Sequence, residues 1–351
     1  MKRSARLRSI AVCALAACAP VTQRPTLDDK AVAAEAQKQR ELALQDLMED
    51  QARIFRVAYP ILARGAAMCE DKVIAATGLR FANVESVPKE FRESASKLLG
   101  LTNELQILQV APGSPAERAG IREKDVILAV AGKPAPSGAE ARSKLIGVIA
   151  EAAKTKKVLD FRLRRAGNEQ TLAVEHERVC DFPVNVGSAD IINAFADGKQ
   201  IVVTRGMLRF IRDDLELAVV VGHELAHNTM GHLQKQMGNA FLGTILDILA
   251  ASRGVNTQGA FGNAATLVFS KEFEAEADYV GLYFTARAGF AIDKAPNFWR
   301  RMATANPGGI QRSFGSSHPS TPERFLALEK IVEEIKAKGV AGKELSPEIR
   351  K

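Results

Sequence analysis

Residues 213–229 read DDLELAVVVGHELAHNT, and this stretch decides the fold class of the C-terminal part of the chain. Asp213 and Glu216 have the spacing of an N-cap and a third helical position, which is typical of a capping box. The apolar run at 215–222 follows directly, and a helix that is apolar all round is buried. The stretch therefore predicts an internal helix that carries a pair of histidines near its end.

The motif H-E-x-x-H occurs on this helix at His223, Glu224 and His227. At about 100° per residue, His227 lies about 40° and Glu224 about 100° from His223, so the imidazoles share a face with the carboxylate beside them. A catalytic zinc ion takes such imidazoles and a third protein ligand, and it keeps one position open for water. We expect one Zn²⁺ per chain, with His223 and His227 as ligands and Glu224 as the general base.

The third zinc ligand has two candidates, of which His232 is the nearer in sequence. It lies nine residues after His223. On a continuous helix it would face about 180° away from His223. We therefore interpret His232 as a polar helix residue.

The segment FEAEAD at 273–278 offers the better candidate. Glu274 and Asp278 are four residues apart, so they share one face of a predicted helix. Glu272 and Glu276 point about 160° away from Glu274. We expect Glu274 to be the third zinc ligand, and Asp278 to accept a hydrogen bond from a ligand histidine and fix its tautomer. The face that carries Glu274 lies beside an apolar stripe of Phe273, Ala277, Val280, Phe284 and Ala288.

Together, H-E-x-x-H and the Glu-x-x-x-Asp helix resemble the HtpX-like and CAAX-prenyl-protease-like zinc endopeptidases, over roughly residues 180–335. The resemblance implies a mainly helical gluzincin domain with a small sheet, whose edge strand lies beside the substrate cleft. It also includes His318-Pro319. By this resemblance His318 would stabilise the oxyanion or block the metal as a switch, and Arg324 is a further candidate for a similar role. The alternative for His318 is an ordinary loop residue.

A different kind of domain is predicted at 78–178. Residues 113–132 hold a short helix that ends in Gly, then a strand led by Asp, then a turn, which resembles a PDZ domain. Lys124 departs from the pattern, because bacterial PDZ domains usually have Gly there. Gly78-Leu79-Arg80-Phe81 is a faint candidate for the carboxylate-binding loop. The domain either binds extended peptides at a sheet edge or is a structural insert. Strands are predicted in it at 105–110 and 158–163.

The start of the chain has a basic segment and a short apolar run that ends in Leu15-Ala16-Ala17-Cys18. Residues 1–17 are thus organised as a secretory signal peptide. The ending resembles the lipobox of bacterial lipoproteins, which implies acylation of Cys18 and stable anchoring. By resemblance to Gram-negative sorting signals, Ala19 favours the periplasmic face of the outer membrane. The alternative is ordinary cleavage beside a chance cysteine.

Cys69 and Cys180 remain after cleavage and lipidation. Disulfides persist in an oxidising compartment, and the ends of an inserted domain tend to lie close together. Because these cysteines flank the region 78–178, we expect them to form a disulfide. Two buried free thiols are the alternative.

Composition excludes some classes of function. The formal net charge of +7 falls to +3 without the four basic residues of the signal, so we expect no nucleic-acid partner. No uninterrupted apolar run is long enough to span a membrane. The basic run at 154–165 is either a solvated strand face or a contact for anionic lipid or peptide. The apolar, Gly-rich stretch 240–269 is a lid, a bilayer-touching helix, an oligomer contact or a core helix.

These features predict an α+β protein in four segments. They are a signal peptide (1–17), a lipid-anchored helical segment (18–77) with one long amphipathic helix (27–62), a PDZ-like domain (78–178) and a zinc metalloprotease domain (179–345). We expect an envelope endopeptidase that hydrolyses exposed or misassembled proteins with a Glu-activated, zinc-bound water. The alternatives are a PDZ-containing chaperone or assembly factor with latent proteolysis, and a scaffold with a structural zinc.

Overall fold

The computed structural model describes residues 25–235, 271–305, 318 and 322–348. The chain divides into two compact units, residues 1–39 and 40–351. Within the first unit, the described residues 25–39 are mostly exposed. The predicted signal peptide, Cys18 and the apolar stretch 240–269 lie outside the described residues.

The first helix, α1 (Asp29–Arg64), begins and ends two residues later than the long amphipathic helix predicted at 27–62. Within the second unit, its Leu44 packs into a cluster with residues of the PDZ-like domain, and its Ile54 and Ile61 pack into the core of the C-terminal domain. The helix therefore contributes to two hydrophobic cores. No helix in the described ranges is both long and apolar enough to cross a membrane.

The sheet-rich region after α1 is the PDZ-like domain. Strands β2 to β7 form one antiparallel sheet in the order β2-β3-β4-β6-β7, with β5 paired to β4, so β2 is an edge strand. The strands of this region are β1 (Val73–Ala76), β2 (Leu79–Ala82), β3 (Gln106–Val110), β4 (Val126–Val130), β5 (Lys133–Pro134), β6 (Val158–Arg165), β7 (Asn168–Glu175) and β8 (Glu177–Cys180). Its helices are α2 (Arg92–Leu99), α3 (Pro115–Arg118) and α4 (Ala141–Ala153).

Entry to and exit from the PDZ-like domain run along one ribbon, because β1 pairs antiparallel with β8. Val73 lies opposite Cys180 in this register, and a disulfide joins Cys69 to Cys180 with their Cα atoms 5.6 Å apart. The structure thus joins the two cysteines for which the sequence predicts a bridge. The cross-link closes a loop with a sequence separation of 111 residues. In the chain-entropy treatment, such a loop corresponds to roughly 4–5 kcal/mol of stabilisation.

The turn before β4 shows why glycine is usual at the position of Lys124. Its φ is +69°, in the left-handed region that glycine adopts without strain. The next residue, Asp125, is buried and pairs with Arg165, whose Nε lies 2.7 Å from Oδ1. Arg162 instead lies on the exposed face of β6. In the basic run, Arg164 and Arg165 are thus paired with carboxylates, Arg162 is exposed on the strand, and the lysines at 154, 156 and 157 precede β6.

The C-terminal domain is mainly helical. Its helices are α5 (Arg205–Phe210), α6 (Asp214–Thr229), α7 (His232–Lys235), α8 (Lys271–Arg287), α9 (Ala295–Ala305) and α10 (Pro322–Val340). Its small sheet has β9 (Val184–Gly187), β10 (Ala194–Ala196) and β11 (Ile201–Thr204) in the order β10-β11-β9. Edge strand β10 packs beside α6. The predicted fold class, a helical domain with a small sheet and a β-rich PDZ-like domain, is confirmed.

Two glycines allow α6 and α8 to approach closely. A Cβ atom on Gly222 would lie 2.5 Å from the carbonyl oxygen of Gly281. A Cβ atom on Gly281 would lie 2.8 Å from the backbone of His223. Thr285 adds a hydrogen bond from its hydroxyl to the carbonyl oxygen of Ala218, at 3.2 Å. The close contact fixes the two helices that carry the predicted ligands.

Candidate metal centre

Helices α6 and α8 bring the three predicted zinc ligands together. His223 Nε2 lies 3.0 Å from His227 Nε2. Glu274 reaches both, since its Oε2 is 3.6 Å from His223 Nε2 and its Oε1 is 3.4 Å from His227 Nε2. All three side chains are buried. The arrangement is the one expected from the helical faces, with Glu274 and not Glu276 facing the histidines.

His318 joins this cluster from a segment far away in sequence. Its Nδ1 lies 3.0 Å from Glu274 Oε1 and 3.3 Å from His223 Nε2. One ligand atom from each of His223, His227, Glu274 and His318 lies within 4.8 Å of the others. His318 therefore belongs, with the three predicted ligands, to a group of side chains that could hold a metal ion.

The donor set fits a zinc ion. Imidazole nitrogens and a carboxylate oxygen are the usual zinc ligands outside cysteine-rich sites. Two imidazole nitrogens at 3.0 Å, those of His223 and His227, repel each other unless a proton or a cation lies between them. The negative charge of Glu274 adds to the attraction for a cation. The buried cluster is therefore suited to Zn²⁺.

Glu224 lies beside the cluster. Its Oε1 is 3.5 Å from His318 Nε2, and its carboxylate accepts a hydrogen bond from the backbone of Ala196 on β10. Its Oε2 is buried and has no hydrogen-bond partner among the described residues. Burial raises the pKa of Glu224 above its ordinary value, against the opposing effect of nearby histidines. A carboxylate with a raised pKa is a stronger proton acceptor than one in water.

His223 is supported on its outer side by charged residues. Asp278 Oδ1 lies 3.0 Å from His223 Nδ1. Arg324 donates two hydrogen bonds of 2.8 Å to Asp278, and its Nη1 lies 3.0 Å from Glu274 Oε2. The guanidinium lies 4.9 Å from the ring centroid of Trp299. The structure thus places Asp278 against a ligand histidine, as expected, and pairs Arg324 with the two carboxylates.

His227 has a different outer support, and it corrects the interpretation of His232. Helix α6 ends at Thr229, Gly231 has a φ of +63°, and α7 begins at His232. His232 is consequently buried with its Nδ1 2.8 Å from His227 Nδ1, and its Nε2 lies 2.7 Å from Glu276 Oε2. The prediction that His232 faces away as a polar helix residue is wrong, because it assumed a helix without the turn at Gly231.

The charges of the site favour cation binding. Burial opposes ionisation of Glu274, but His318 and a nearby guanidinium outweigh it and hold the pKa of Glu274 well below its ordinary range. Burial also acts to lower the pKa of His223, yet Asp278 and Glu274 overcome it and raise that pKa to about 9. Burial lowers the pKa of His227 to about 3. Glu274 is therefore charged and His227 neutral, as metal ligands must be, whereas His223 has to lose a proton before it can bind a metal.

Two further devices were missed by sequence reasoning. Asn228 clamps the turn between β10 and β11, because it accepts the N–H of Gly198 at 2.7 Å and donates to the carbonyl of Gln200 at 3.1 Å. Asn228 follows the H-E-x-x-H motif directly, and nothing in the sequence around it predicts these two hydrogen bonds. The close approach at Gly222 did leave a signal, since glycine in a helix interior is unfavourable without a packing reason.

Comparison with known families gives two matches along the chain. Residues 161–332 match the model described as Peptidase family M48, and residues 106–162 match the model of a PDZ domain. The PDZ match runs from β3 to β6, and the peptidase match begins on β6 and ends in α10. The C-terminal domain is thus a helical M48 peptidase domain, preceded by a PDZ-like domain.

Several curated proteins are similar to parts of the chain. Mitochondrial metalloendopeptidase OMA1 of Arabidopsis thaliana is 32% identical over 178 residues, which cover 49% of this chain and 36% of that protein. The beta-barrel assembly-enhancing protease of Yersinia pestis is 31% identical over 129 residues, 32% of this chain and 26% of that protein. The chain therefore spans less than half the length of either relative. Among solved structures, the HtrA3 PDZ domain bound to a phage-derived ligand is 22% identical and covers 30% of this chain and 88% of that chain, with a TM-score of 0.22.

Proposed function

Because the C-terminal domain is an M48 peptidase domain, we propose that this chain is a zinc-dependent endopeptidase. The observation that carries the proposal is the buried cluster of His223, His227 and Glu274, with the carboxylate of Glu224 beside it. A purely structural zinc needs only its ligands, and it would give Glu224 no task. A hydrolytic site needs a buried base at that place.

His223, His227 and Glu274 would hold Zn²⁺, which when bound supplies Lewis acidity toward a water molecule and a substrate carbonyl. Glu224 would act as the general base, and then as the general acid, of the reaction. Its raised pKa and the open hydrogen-bonding capacity of Oε2 suit it to take a proton from water and pass it to the departing amine. In the hydrolysis, the water oxygen bonds to the carbonyl carbon and the peptide C–N bond breaks. One water proton passes through Glu224 to the amine nitrogen, and the other stays with the carboxyl product.

Edge strand β10 supports an extended peptide as substrate. Within the described part of the chain β10 pairs only with β11, which leaves its other edge open to strand addition. The backbone of Ala196 on this strand already meets Glu224, so a peptide laid along the edge would pass the base. Extended segments are exposed in unfolded or misassembled proteins, and these are the substrate class that we propose.

His318 is proposed to restrain the peptidase. It occupies the position of a fourth ligand, with Nδ1 among the ligand atoms and Nε2 3.5 Å from Glu224 Oε1. That position is the one that a water molecule or a substrate carbonyl needs. We expect His318→Ala to keep its zinc and to cleave casein several-fold faster than the wild type. A loss of cleavage at full zinc content would instead favour the alternative role in stabilising the oxyanion.

The activity itself is tested with Glu224→Gln, a nearly isosteric change that removes the base. We expect this variant to retain stoichiometric zinc and to lose casein cleavage by at least about 10²-fold. Glu272→Gln is the matched control, since Glu272 is an exposed carboxylate on the adjacent α8 and should retain full activity. If neither the zinc-loaded wild type nor the zinc-loaded His318→Ala variant cleaves casein, the proposal is contradicted.

The proposed setting is the periplasmic face of the outer membrane, with an acylated Cys18. Support comes from the sequence alone, through the signal-like segment 1–17 and the lipobox-like ending. Labelled palmitate should be incorporated into the wild type in a Gram-negative host and should be absent from Cys18→Ala. Incorporation into both proteins, or into neither, would contradict lipidation at this residue.

A groove in the PDZ-like domain favours a second function, that of a peptide-binding chaperone or assembly factor. A cavity of about 660 Å³ is lined by residues of edge strand β2 and α4 together with residues of α1, β1 and the segment 179–185, and Ile146, which is 39% exposed, is part of the lining. If binding is the main function, Ile146→Arg should abolish suppression of aggregation of a heat-unfolded client, as followed by light scattering. Val158→Arg is the control, because Val158 is equally exposed at 43% but lies outside the groove. Suppression that survives Ile146→Arg would argue against this function.

A further inference from the structure

On the side of His227 that faces away from Glu274, two hydrogen bonds connect it to residues outside the H-E-x-x-H motif. His227 Nδ1 lies 2.8 Å from His232 Nδ1, and His232 Nε2 lies 2.7 Å from Glu276 Oε2. The His232 side chain is fully buried, whereas that of Glu276 is 35% exposed. These two hydrogen bonds thus connect a proposed zinc ligand to the protein surface.

The protein builds this contact by ending a helix early. The left-handed Gly231 separates α6 from α7 and turns His232 back toward His227. The imidazole of His232 then stacks on the ring of Phe273 at the start of α8, with centroids 4.6 Å apart and planes 24° apart. Its position is therefore fixed by a turn, a ring contact and two hydrogen bonds.

The positions of the protons follow from the partners. A carboxylate only accepts hydrogen bonds, so the Nε2 of His232 donates its proton to Glu276. A neutral imidazole carries a single N–H, which leaves the Nδ1 of His232 as an acceptor. The Nδ1 of His227 at 2.8 Å must then be the donor. His227 is left with its lone pair on Nε2, the atom that faces Glu274 at 3.4 Å.

We propose that His232 and Glu276 are positioning residues that set the tautomer and the ring orientation of His227 for cation binding. The inference rests on the proposed zinc site and extends it to residues that touch neither the cation nor a substrate. Partners of this kind raise the basicity of a ligand and typically change metal affinity by about 10–100-fold. Because Glu276 is partly exposed, this support ends at the surface, where it can be altered without a change in the core.

The test compares two pairs of variants of the full chain. Leu fills the space of His232 but offers no hydrogen-bond acceptor, so His232→Leu should lose about 10–100-fold in zinc affinity. Gln offers an acceptor oxygen, so His232→Gln should lose less. Glu276→Gln should weaken zinc binding less than Glu276→Ala. Glu272→Ala, on the exposed side of the same helix, should match the wild type. Affinity is measured by competition with a zinc chelator.

A spectroscopic readout separates positioning from general damage to the fold. In the zinc-loaded wild type, NMR of ¹⁵N-labelled histidines should show a slowly exchanging proton on His227 Nδ1. We expect this proton to persist in Glu276→Gln and in His232→Gln, and to exchange rapidly in His232→Leu. Equal zinc affinity and equal proton protection in the Leu and Gln variants would overturn the inference. Failure of the wild type itself to bind zinc would instead contradict the proposed function.

Discussion

The two histidines of one motif lie four residues apart on α6, yet the protein supports them in different ways. His223 contacts Asp278, a buried carboxylate that is itself held by Arg324. His227 contacts His232, a second imidazole, and only then a partly exposed carboxylate. The motif is therefore symmetric in sequence and asymmetric in structure. What distinguishes the ligands is the element behind each one: α8 and α10 for His223, and the turn at Gly231 for His227.

The asymmetry has an electrostatic consequence. A direct carboxylate raises the pKa of His223 to about 9, although burial opposes this. Burial outweighs the carboxylate of Glu274 at His227 and lowers the pKa of that imidazole to about 3. Protons therefore compete with a cation mainly at His223. Substitutions behind His223 and behind His227 should therefore differ in their effects on stability and zinc affinity.

The largest effect is expected for Asp278→Ala. The substitution removes one of the two carboxylates that Arg324 contacts, Asp278, and with it the acceptor for His223, and breaking a buried ion pair costs roughly 3–5 kcal/mol. We expect a comparable loss in the free energy of unfolding by urea, together with weaker zinc binding. Asp293→Ala is the control, since its pair with Lys336 is more than half exposed and contributes at most about 1 kcal/mol. Similar losses in the two variants would contradict the buried role of Asp278.

A smaller effect is expected for Gly281→Ala, which acts on both histidines through the contact between α6 and α8. The added methyl group would meet the backbone of His223, and overpacking of this kind costs about 1–3 kcal/mol. We expect lower stability and lower zinc affinity together. Gly339→Ala on α10 meets no atom within 4 Å, and it should leave zinc affinity unchanged while stabilising the helix by about 0.5–1 kcal/mol. A neutral Gly281→Ala would show that the close approach is not needed.

The pH dependence of zinc binding should report His223. Its raised pKa means that the protonated form prevails below about pH 9, and that proton must leave before the nitrogen binds a cation. Apparent zinc affinity should rise with pH by up to about tenfold per unit toward pH 9 and level off above it. In Asp278→Asn the rise should end at lower pH, because the carboxylate charge that raises the pKa is gone. A flat profile in the wild type between pH 7 and 9 would contradict this assignment.

The smallest effect concerns the independence of the two supports. Asp278→Asn and Glu276→Gln alter different histidines and share no direct contact. Their effects on the free energy of zinc binding should therefore add within about 0.5 kcal/mol in the double variant. A larger coupling would indicate that one support compensates for the other. The measurement is the same chelator competition, applied to the wild type and all three variants.

Sequence reasoning was sufficient where geometry is local. One helical repeat places His223, His227 and Glu224, and a second places Glu274 and Asp278, because faces of a helix follow from residue spacing. It failed at the first break in that repeat. The interpretation of His232 assumed a continuous helix, and the left-handed turn at Gly231 is a property of the folded chain that spacing does not contain.

Long-range contacts were harder to obtain from the sequence. The position of His318 among the ligands depends on packing between segments about a hundred residues apart, so the sequence left three roles open for it. The pairing of Gly222 with Gly281 likewise requires both helices in place. The bridge between Cys69 and Cys180 was accessible because the boundaries of an inserted domain predict where its ends meet.

The central claim is tested most directly by anomalous X-ray scattering at the zinc edge, from crystals of the full chain grown with zinc. The account predicts one strong peak per chain, within about 2.0–2.2 Å of His223 Nε2, His227 Nε2 and a Glu274 oxygen. A peak bound by Glu276 in place of Glu274, or no peak at these residues, would contradict it.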